Sequence, residues 1–130
     1  MIFSSGGLRF GADADQVDSL GPFDRDDPPL HAVPLHCVVG IGDSTAACLS
    51  PETCVVRRGG NVCTFIMESP EDLVVVETRL LHPLPLLVES FAKERGIWAA
   101  LPWKTGILLV LDLVRLASIR NLWHPLGDIS

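Results

Sequence analysis

The sequence predicts a mainly β protein, and three features support this. Most apolar stretches are short, rich in Val, Ile, Leu and Phe, and bounded by Gly, Pro, Asp or Asn, as short strands are. A hydrophobic content of 48% with 20% charged residues is typical of a folded globular chain and not of a disordered one. At 130 residues the chain can bury one core but is short for two, so we expect a single domain over residues 1–130.

Eight stretches have the length and composition of strands. They are "MIFSS", "LRFGA", "HAVPLHCVV", "TCVVRR", "NVCTFIM", "DLVVVE", "GIWAAL" and "GILLVLDL". The segment "RRGGNV" lies between two of them, and glycine supplies the positive φ that tight turns need. The sequence therefore predicts a β-hairpin over Cys54–Met67.

Two helices and one long loop complete the prediction. "PLLVESFAKERG" has a proline near its start, helical apolar spacing and a terminal glycine. "DLVRLASIRNLW" places its apolar residues on one face and its arginines outside that face. Gly21–Pro34 is dense in Pro and Asp and is predicted to be a loop.

Asp112 stands inside the most apolar stretch, "GILLVLDLV", and raises the question of a catalytic acid, a ligand or a structural hinge. A carboxylate in apolar surroundings needs a partner. If a strand runs over Gly106–Leu111 and a helix over Val114–Trp123, Asp112 falls at their junction. There it can accept hydrogen bonds from the first free amides of the helix, so we expect a structural cap.

Charge and hydropathy limit the class of partner. The net charge is −6 and Lys and Arg are not clustered, so we expect no nucleic-acid partner. The start, "MIFSSGGLRF", has no signal-peptide pattern, and the longest uncharged apolar run, Ile107–Leu111, is too short to cross a membrane. We expect a cytoplasmic protein without membrane insertion.

The four cysteines, Cys37, Cys48, Cys54 and Cys63, form no C-x-x-C pair, and His36 beside Cys37 completes no zinc pattern. In a reducing compartment, free cysteines are mostly small buried apolar residues. We therefore expect four core cysteines and no metal site.

The glycine-containing segment "VVGIGDST", Val38–Thr45, follows a predicted strand but lacks the lysine and glycine spacing of a phosphate-binding loop. Ser44, Asp43 and His36 are close in sequence, yet no G-x-S-x-G turn is present, and a triad is defined by geometry rather than by proximity in sequence. These residues indicate a turn and not a nucleotide or hydrolase site.

The acidic segment "ESPED", Glu68–Asp72, could serve acid-base chemistry or bind a cation, but a proline-containing acidic turn in water is the expected outcome. His82 and His124 each precede a proline, which favours an extended backbone at the histidine. We assign no catalytic, cofactor-binding or metal-binding residue, and predict a protein that is not an enzyme and needs no cofactor.

The order of the motifs resembles that of the CheW-like domains of bacterial chemotaxis signalling. "FSSGGLRFGADADQV" resembles the two opening strands and acidic turn of that family, and "AVPLHCVVGI" its V-P-V-x-D-L segment, with His36 where an acidic residue is common. Cys54–Pro85 is similar to the central hairpin followed by I-x-P-L-P, and Gly96–Leu116 to the closing strands and L-L-D-L. Together these segments cover nearly the whole chain.

The resemblance implies two small five-stranded β-barrels packed side by side, with short helices. It implies an adaptor without catalytic activity that joins a CheA-type histidine kinase to chemoreceptors through barrel surfaces and strand edges.

One departure from the family changes the expected contacts. The N-L-R-G turn of the family is absent, and the loop Gly21–Pro34 at that place holds only one arginine, Arg25. We therefore expect an incomplete first barrel. We assign no partner-binding residue to this chain from the family. The alternative is an interaction module with another partner, or a homodimer. Its apolar patch would contain Phe23, Leu30 and the three tryptophans.

Overall fold

A computed structural model describes residues 1–24, 26, 29, 31–40, 51–68, 92–103 and 106–125. The elements of the first half are β1 (Ile2–Ser5), β2 (Leu8–Ala12), a 3-10 turn (Ala14–Gln16), β3 (Val17–Pro22), β4 (Val33–Pro34) and α1 (Leu35–Val39). Those of the second half are β5 (Pro51–Arg58), β6 (Asn61–Glu68), β7 (Ile97–Trp103), β8 (Gly106–Leu111), α2 (Leu113–Ile119) and β9 (His124–Pro125).

The first sheet joins the beginning of the chain to its end. In the described part it has four strands in the order β1-β2-β8-β7. The β1–β2 and β7–β8 pairs are antiparallel, whereas β2 and β8 run parallel, with Arg9 opposite Leu108 and Ala12 opposite Leu111. A parallel pair needs a long connection, and here almost the whole chain lies between the two strands.

The second sheet is built on the predicted hairpin. β5 and β6 pair antiparallel from Pro51 opposite Glu68 to Arg58 opposite Asn61, which confirms the hairpin and lengthens it by a few residues. β3 lines the other edge of β5, while β4 and β9 share the far edge of β6. Five described strands thus belong to this sheet.

The main core lies between the two sheets. Its buried side chains come from one face of each sheet and from the helices: Phe3, Phe10, Ala12, Ile97 and Leu111; Cys54, Val56, Cys63, Phe65 and Met67; and Leu35, Val39, Ala92, Leu113, Leu116 and Ala117. Phe3 and Phe10 stack with ring centroids 6.2 Å apart. The alternation of these residues along their strands is the period-2 pattern of a strand with a buried face.

The second face of the first sheet is buried as well. Ile2, Ala99 and Leu108 are each about 2% exposed, yet they lie outside the cluster between the sheets. This second face is therefore shielded from water at these three positions.

Most predicted strands are confirmed, but one is wrong. "HAVPLHCVV" forms only the two-residue β4 before it turns into α1. Leu35 and Val39 are four residues apart and both are fully buried, so the helix places them on one buried face. β-branched valines had favoured a strand, and packing of this i, i+4 pair decides for a helix.

Three further elements of the described structure were not predicted, and one predicted helix ends earlier than expected. The three are β3, the 3-10 turn and β9, and β3 runs into the predicted loop as far as Pro22. α2 ends at Ile119 rather than at Trp123. Asn121 has a φ of 55°, and Leu122 N–H donates to the Ala117 carbonyl at 2.9 Å, as in a Schellman motif.

The predicted architecture of two barrels is confirmed only in its coarser form. The described strands make two sheets packed on a common core, and neither sheet closes into a barrel within those strands. The predicted strand "DLVVVE" and most of the predicted helix "PLLVESFAKERG" lie outside the described residues; Ala92 and Lys93 are helical, and Gly96 follows in a turn. None of the helices described is long and apolar enough to span a membrane.

Candidate functional site

Asp112 caps α2, as the sequence predicted. Its backbone is extended, and its side-chain Oδ1 accepts a hydrogen bond from the Arg115 backbone N–H at 3.0 Å. Its own N–H donates to the Gly96 carbonyl at 2.9 Å. The carboxylate therefore satisfies an amide in the first turn of the helix, and its role is structural.

Gln16 completes this cap from the 3-10 turn at the other end of the sequence. Its Nε2 donates to Asp112 Oδ1 at 2.8 Å, and its Oε1 accepts from the Leu113 backbone N–H at 2.8 Å. The sequence carried no signal for this contact, because an isolated glutamine after an acidic turn is ordinarily exposed. Gln16 ties the opening strands to the closing helix.

Gly96, directly before β7, allows α2 to pack closely against the start of that strand. Its φ is +72°, and a Cβ built at this position would lie 2.9 Å from Leu116 Cβ and 3.4 Å from the Asp112 carbonyl oxygen. Any side chain here would both strain the backbone and push against the helix. The predicted stop residue of one helix is thus a packing site for another.

The prediction that His36, Asp43 and Ser44 form no catalytic triad is not tested by the described residues. Asp43 and Ser44 lie outside them, as do Ser69–Asp72 of the acidic segment, His82 and Cys48. No group of three or more His, Cys, Asp or Glu residues in the described part could hold a metal ion.

His36 is held by Ser5 rather than by an acid. Ser5 Oγ accepts from the His36 backbone N–H at 3.1 Å and lies 2.7 Å from His36 Nδ1. Ser5 itself is buried in β1. Because Pro34, the N-cap of α1, makes no side-chain cap, the Ser5 hydroxyl performs that task from another strand.

The cysteines divide into two kinds. Cys54 and Cys63 are buried in the core, and desolvation raises the pKa of each thiol to about 12, the Cys54 charge adding to the shift at Cys63. Cys37 is exposed, which corrects the expectation that it is a core residue. All three are free thiols.

His124 has the extended backbone that was predicted, in β9 opposite Val62. Its ring stacks on that of His31, with centroids 3.8 Å apart and planes 12° from parallel. Nitrogens of two parallel stacked rings lie in different planes, so this pair is not arranged to share one metal ion. The stack instead links the segment before β4 to β9, both on the same edge of β6.

The apolar patch expected from Phe23, Leu30 and the three tryptophans is described only in part. Phe23 is half-buried, and Leu30 and the Trp103 side chain lie outside the described part. Trp123 packs on the core, and its indole N–H donates to Ser118 Oγ at 3.0 Å. Trp98 alone among the described members is well exposed, at 50%.

Among the described side chains, three exposed apolar ones lie in the β7–β8 hairpin. Trp98 occupies a bulge in β7 between the buried Ile97 and Ala99, so its ring points to solvent. At the other end, Ile107 is 66% exposed opposite the exposed Pro102. We call Trp98, Pro102 and Ile107 the hairpin surface. Single exposed apolar residues are ordinary, but a tryptophan and an isoleucine on one hairpin are candidates for contact with another protein.

No protein-family model and no curated protein matches this sequence. Among solved structures, the chain is similar to the crystal structure of the scaffolding protein TtCheW from Thermoanaerobacter tengcongensis, with a TM-score of 0.63 and 12% sequence identity. The match covers 86% of this chain and 82% of that chain. The chain therefore shares its mainly β fold with a CheW scaffold protein, which is the part of the predicted resemblance that the comparison supports.

Proposed function

We propose that this protein is a non-catalytic adaptor in bacterial chemotaxis or motility signalling, which binds a CheA-type histidine kinase, a chemoreceptor or both. The observation that carries the proposal is the fold shared with a scaffolding protein over 86% of the chain. The order of the four motif segments along the sequence supports the same assignment independently.

The finer features of the family belong to this proposal. They are the two-barrel form, one unit over residues 1–130, a cytoplasmic location, and protein rather than nucleic-acid partners. A net charge of −6 supports the last of these, because nucleic-acid binding depends on clustered positive charge.

The hairpin surface is the proposed contact region. The main core covers one face of the first sheet, and Ile2, Ala99 and Leu108 are buried on the other. Among the described side chains of β7 and β8, the exposed apolar ones lie at the bulge and at the turn end of the hairpin. Aromatic residues are enriched at the energetic centre of protein interfaces, and Trp98 has this character.

The test is binding of the purified chain to the CheA regulatory domain and to the chemoreceptor signalling tip of the same organism, measured by calorimetry at micromolar concentrations. Trp98→Ser and Ile107→Ser should each weaken binding about tenfold or more, as central interface residues do. Leu20→Ser is the matched control, since Leu20 is an exposed apolar residue on β3 of the other sheet, at 44% exposure. Absence of binding to both partners contradicts the adaptor role.

A homodimer is the second candidate, and the exposure of Trp98 and Ile107 favours it. Light scattering during size-exclusion separates the two cases. A dimer that Trp98→Ser converts to a monomer supports self-association through the hairpin surface. A strict monomer across micromolar concentrations excludes it.

A further inference from the structure

An exposed thiol stands next to an imidazole that other residues hold in place. Cys37 Sγ lies 3.4 Å from His36 Nε2, and the other ring nitrogen, Nδ1, lies 2.7 Å from Ser5 Oγ. A nucleophile, a base beside it and a third group that orients the base make up the arrangement that activates catalytic and redox-sensitive cysteines. Cys37 and His36 of α1 and Ser5 of β1 thus form a cluster of three side chains in contact.

The backbone of the β1–β2 turn holds the same imidazole from another side. A Cβ at Gly6 would lie 2.5 Å from His36 Cγ, so the ring packs directly on the glycine. Ser5 fixes the ring by one hydrogen bond, at Nδ1, and Gly6 fixes it by contact. Nothing in the cap of α1 requires this ring placement, because the cap uses only the His36 backbone N–H.

We propose that Cys37 is a reactive thiol, a site of oxidation by hydroperoxides that His36 activates and Ser5 and Gly6 position. The inference does not depend on the adaptor role. The thiol is exposed, so a small diffusible peroxide can reach it without a substrate pocket.

The reaction balances within these groups and one peroxide. The reaction requires the tautomer in which Nδ1–H donates to Ser5 Oγ, which also accepts the His36 backbone N–H, so that the Nε2 lone pair faces Cys37. Nε2 takes the thiol proton, and the thiolate attacks one peroxide oxygen. The S–O bond forms as the O–O bond breaks, and sulfur loses two electrons to become sulfenic acid. The leaving oxygen takes the proton from His36 and departs as water from hydrogen peroxide, or as an alcohol from an alkyl hydroperoxide.

The experiment measures labelling of each cysteine in the full chain by iodoacetamide, with peptide mass spectrometry. His36→Gln should slow labelling of Cys37 about tenfold at pH 7, because an ordinary thiol is only a few per cent thiolate there. At pH 10 the wild type and the variant should react at similar rates. Cys54 and Cys63 should stay unlabelled in both proteins, which reports that the fold is intact.

Two glycine variants form the matched pair. Gly6 and Gly7 both have positive φ, so alanine strains the backbone at either position, but only Gly6 touches His36, and a Cβ at Gly7 meets nothing within 4 Å. Gly6→Ala should slow labelling of Cys37, and Gly7→Ala should leave it unchanged. Equal rates in wild type, His36→Gln and Gly6→Ala at pH 7 overturn the proposal.

Hydrogen peroxide provides the second readout. Brief exposure of the wild type in the presence of dimedone should place the sulfenic-acid adduct on Cys37, and His36→Gln should reduce its yield. A wild-type protein without an adduct at Cys37 also overturns the proposal.

Discussion

The two strand-to-helix junctions differ in where the helix cap comes from. α2 is capped by Asp112, the residue directly before it, through the Arg115 N–H. α1 follows Pro34, which makes no side-chain cap, and its His36 N–H is satisfied by Ser5, 31 residues away in sequence. A local cap is visible in the sequence and a remote cap is not, which explains why one junction was predicted and the other was read as a strand.

The largest expected effect tests the close packing of the α2 junction. Gly96→Ala places an alanine in the left-handed backbone conformation, which costs roughly 1–2 kcal/mol, and its Cβ clashes with Leu116. We therefore expect the free energy of unfolding to fall by about 3 kcal/mol in total. Urea denaturation measures it.

Gly59→Ala is the control for Gly96→Ala, because Gly59 also has a positive φ but a Cβ there meets nothing within 4 Å. It should lose only the backbone cost of about 1 kcal/mol. Equal losses in the two variants contradict close packing at Gly96.

A pH series tests the core that both junctions share. The pKa of Cys54 and of Cys63 is raised from 9.0 to about 12, so the folded state holds these protons where the unfolded state releases them. Their contribution to stability is complete below pH 9 and is lost as the pH rises towards 12. Between pH 9 and 10 the loss should be about 1 kcal/mol for each thiol, measured by urea denaturation.

Cys54→Ala and Cys63→Ala are the controls for the pH series. Each variant should lose less stability than the wild type between pH 9 and 10, because one of the two titrating thiols is absent. A stability that is constant over that interval in the wild type contradicts the burial of the two thiols.

The remote cap is tested at Ser5. Ser5→Ala leaves the His36 N–H without its acceptor, and an unsatisfied buried donor costs about 1–3 kcal/mol, so we expect a loss near 1.5 kcal/mol. Ser4→Ala, on the next residue of the same strand, should change stability by less than about 0.5 kcal/mol. If both serines behave alike in thermal or urea denaturation, α1 does not depend on the remote cap.

The smallest effect is expected at the local cap. Asp112→Ala should cost about 1 kcal/mol, and Asp112→Asn only a few tenths, because asparagine caps as well as aspartate and its Oδ1 can still accept from Gln16. A double-mutant cycle of Gln16→Ala with Asp112→Ala should show coupling of about 0.5 kcal/mol or more. Full stability of Asp112→Ala with loss of partner binding would falsify the structural role.

Prediction from sequence worked where the determining residues are neighbours. The hairpin over β5 and β6 follows from alternating apolar residues and the Gly59-Gly60 turn, and the Asp112 cap from a polar residue at the end of an apolar strand. It failed at α1, where burial of Leu35 and Val39 outweighed the strand preference of valine.

For the candidate sites, the sequence correctly favoured a structural role for Asp112. It missed Gln16, which bonds the Leu113 N–H across 97 residues, and it placed Cys37 in the core because free cysteines are usually buried. Neither position has a local pattern that distinguishes it from an ordinary surface or core residue.

The sequence by itself determined the β-rich class, the central hairpin and the local cap of the closing helix. Only the tertiary structure decided that β2 pairs parallel with β8, that Ser5 and Gln16 cap helices in distant segments, and that His36 rests on Gly6 beside an exposed thiol. Periodicity, turn residues and local caps act over a few residues, so a short stretch of sequence is enough to identify them. Sheet pairing and remote hydrogen bonds depend on which segments the hydrophobic core brings together, and that is set by the whole chain.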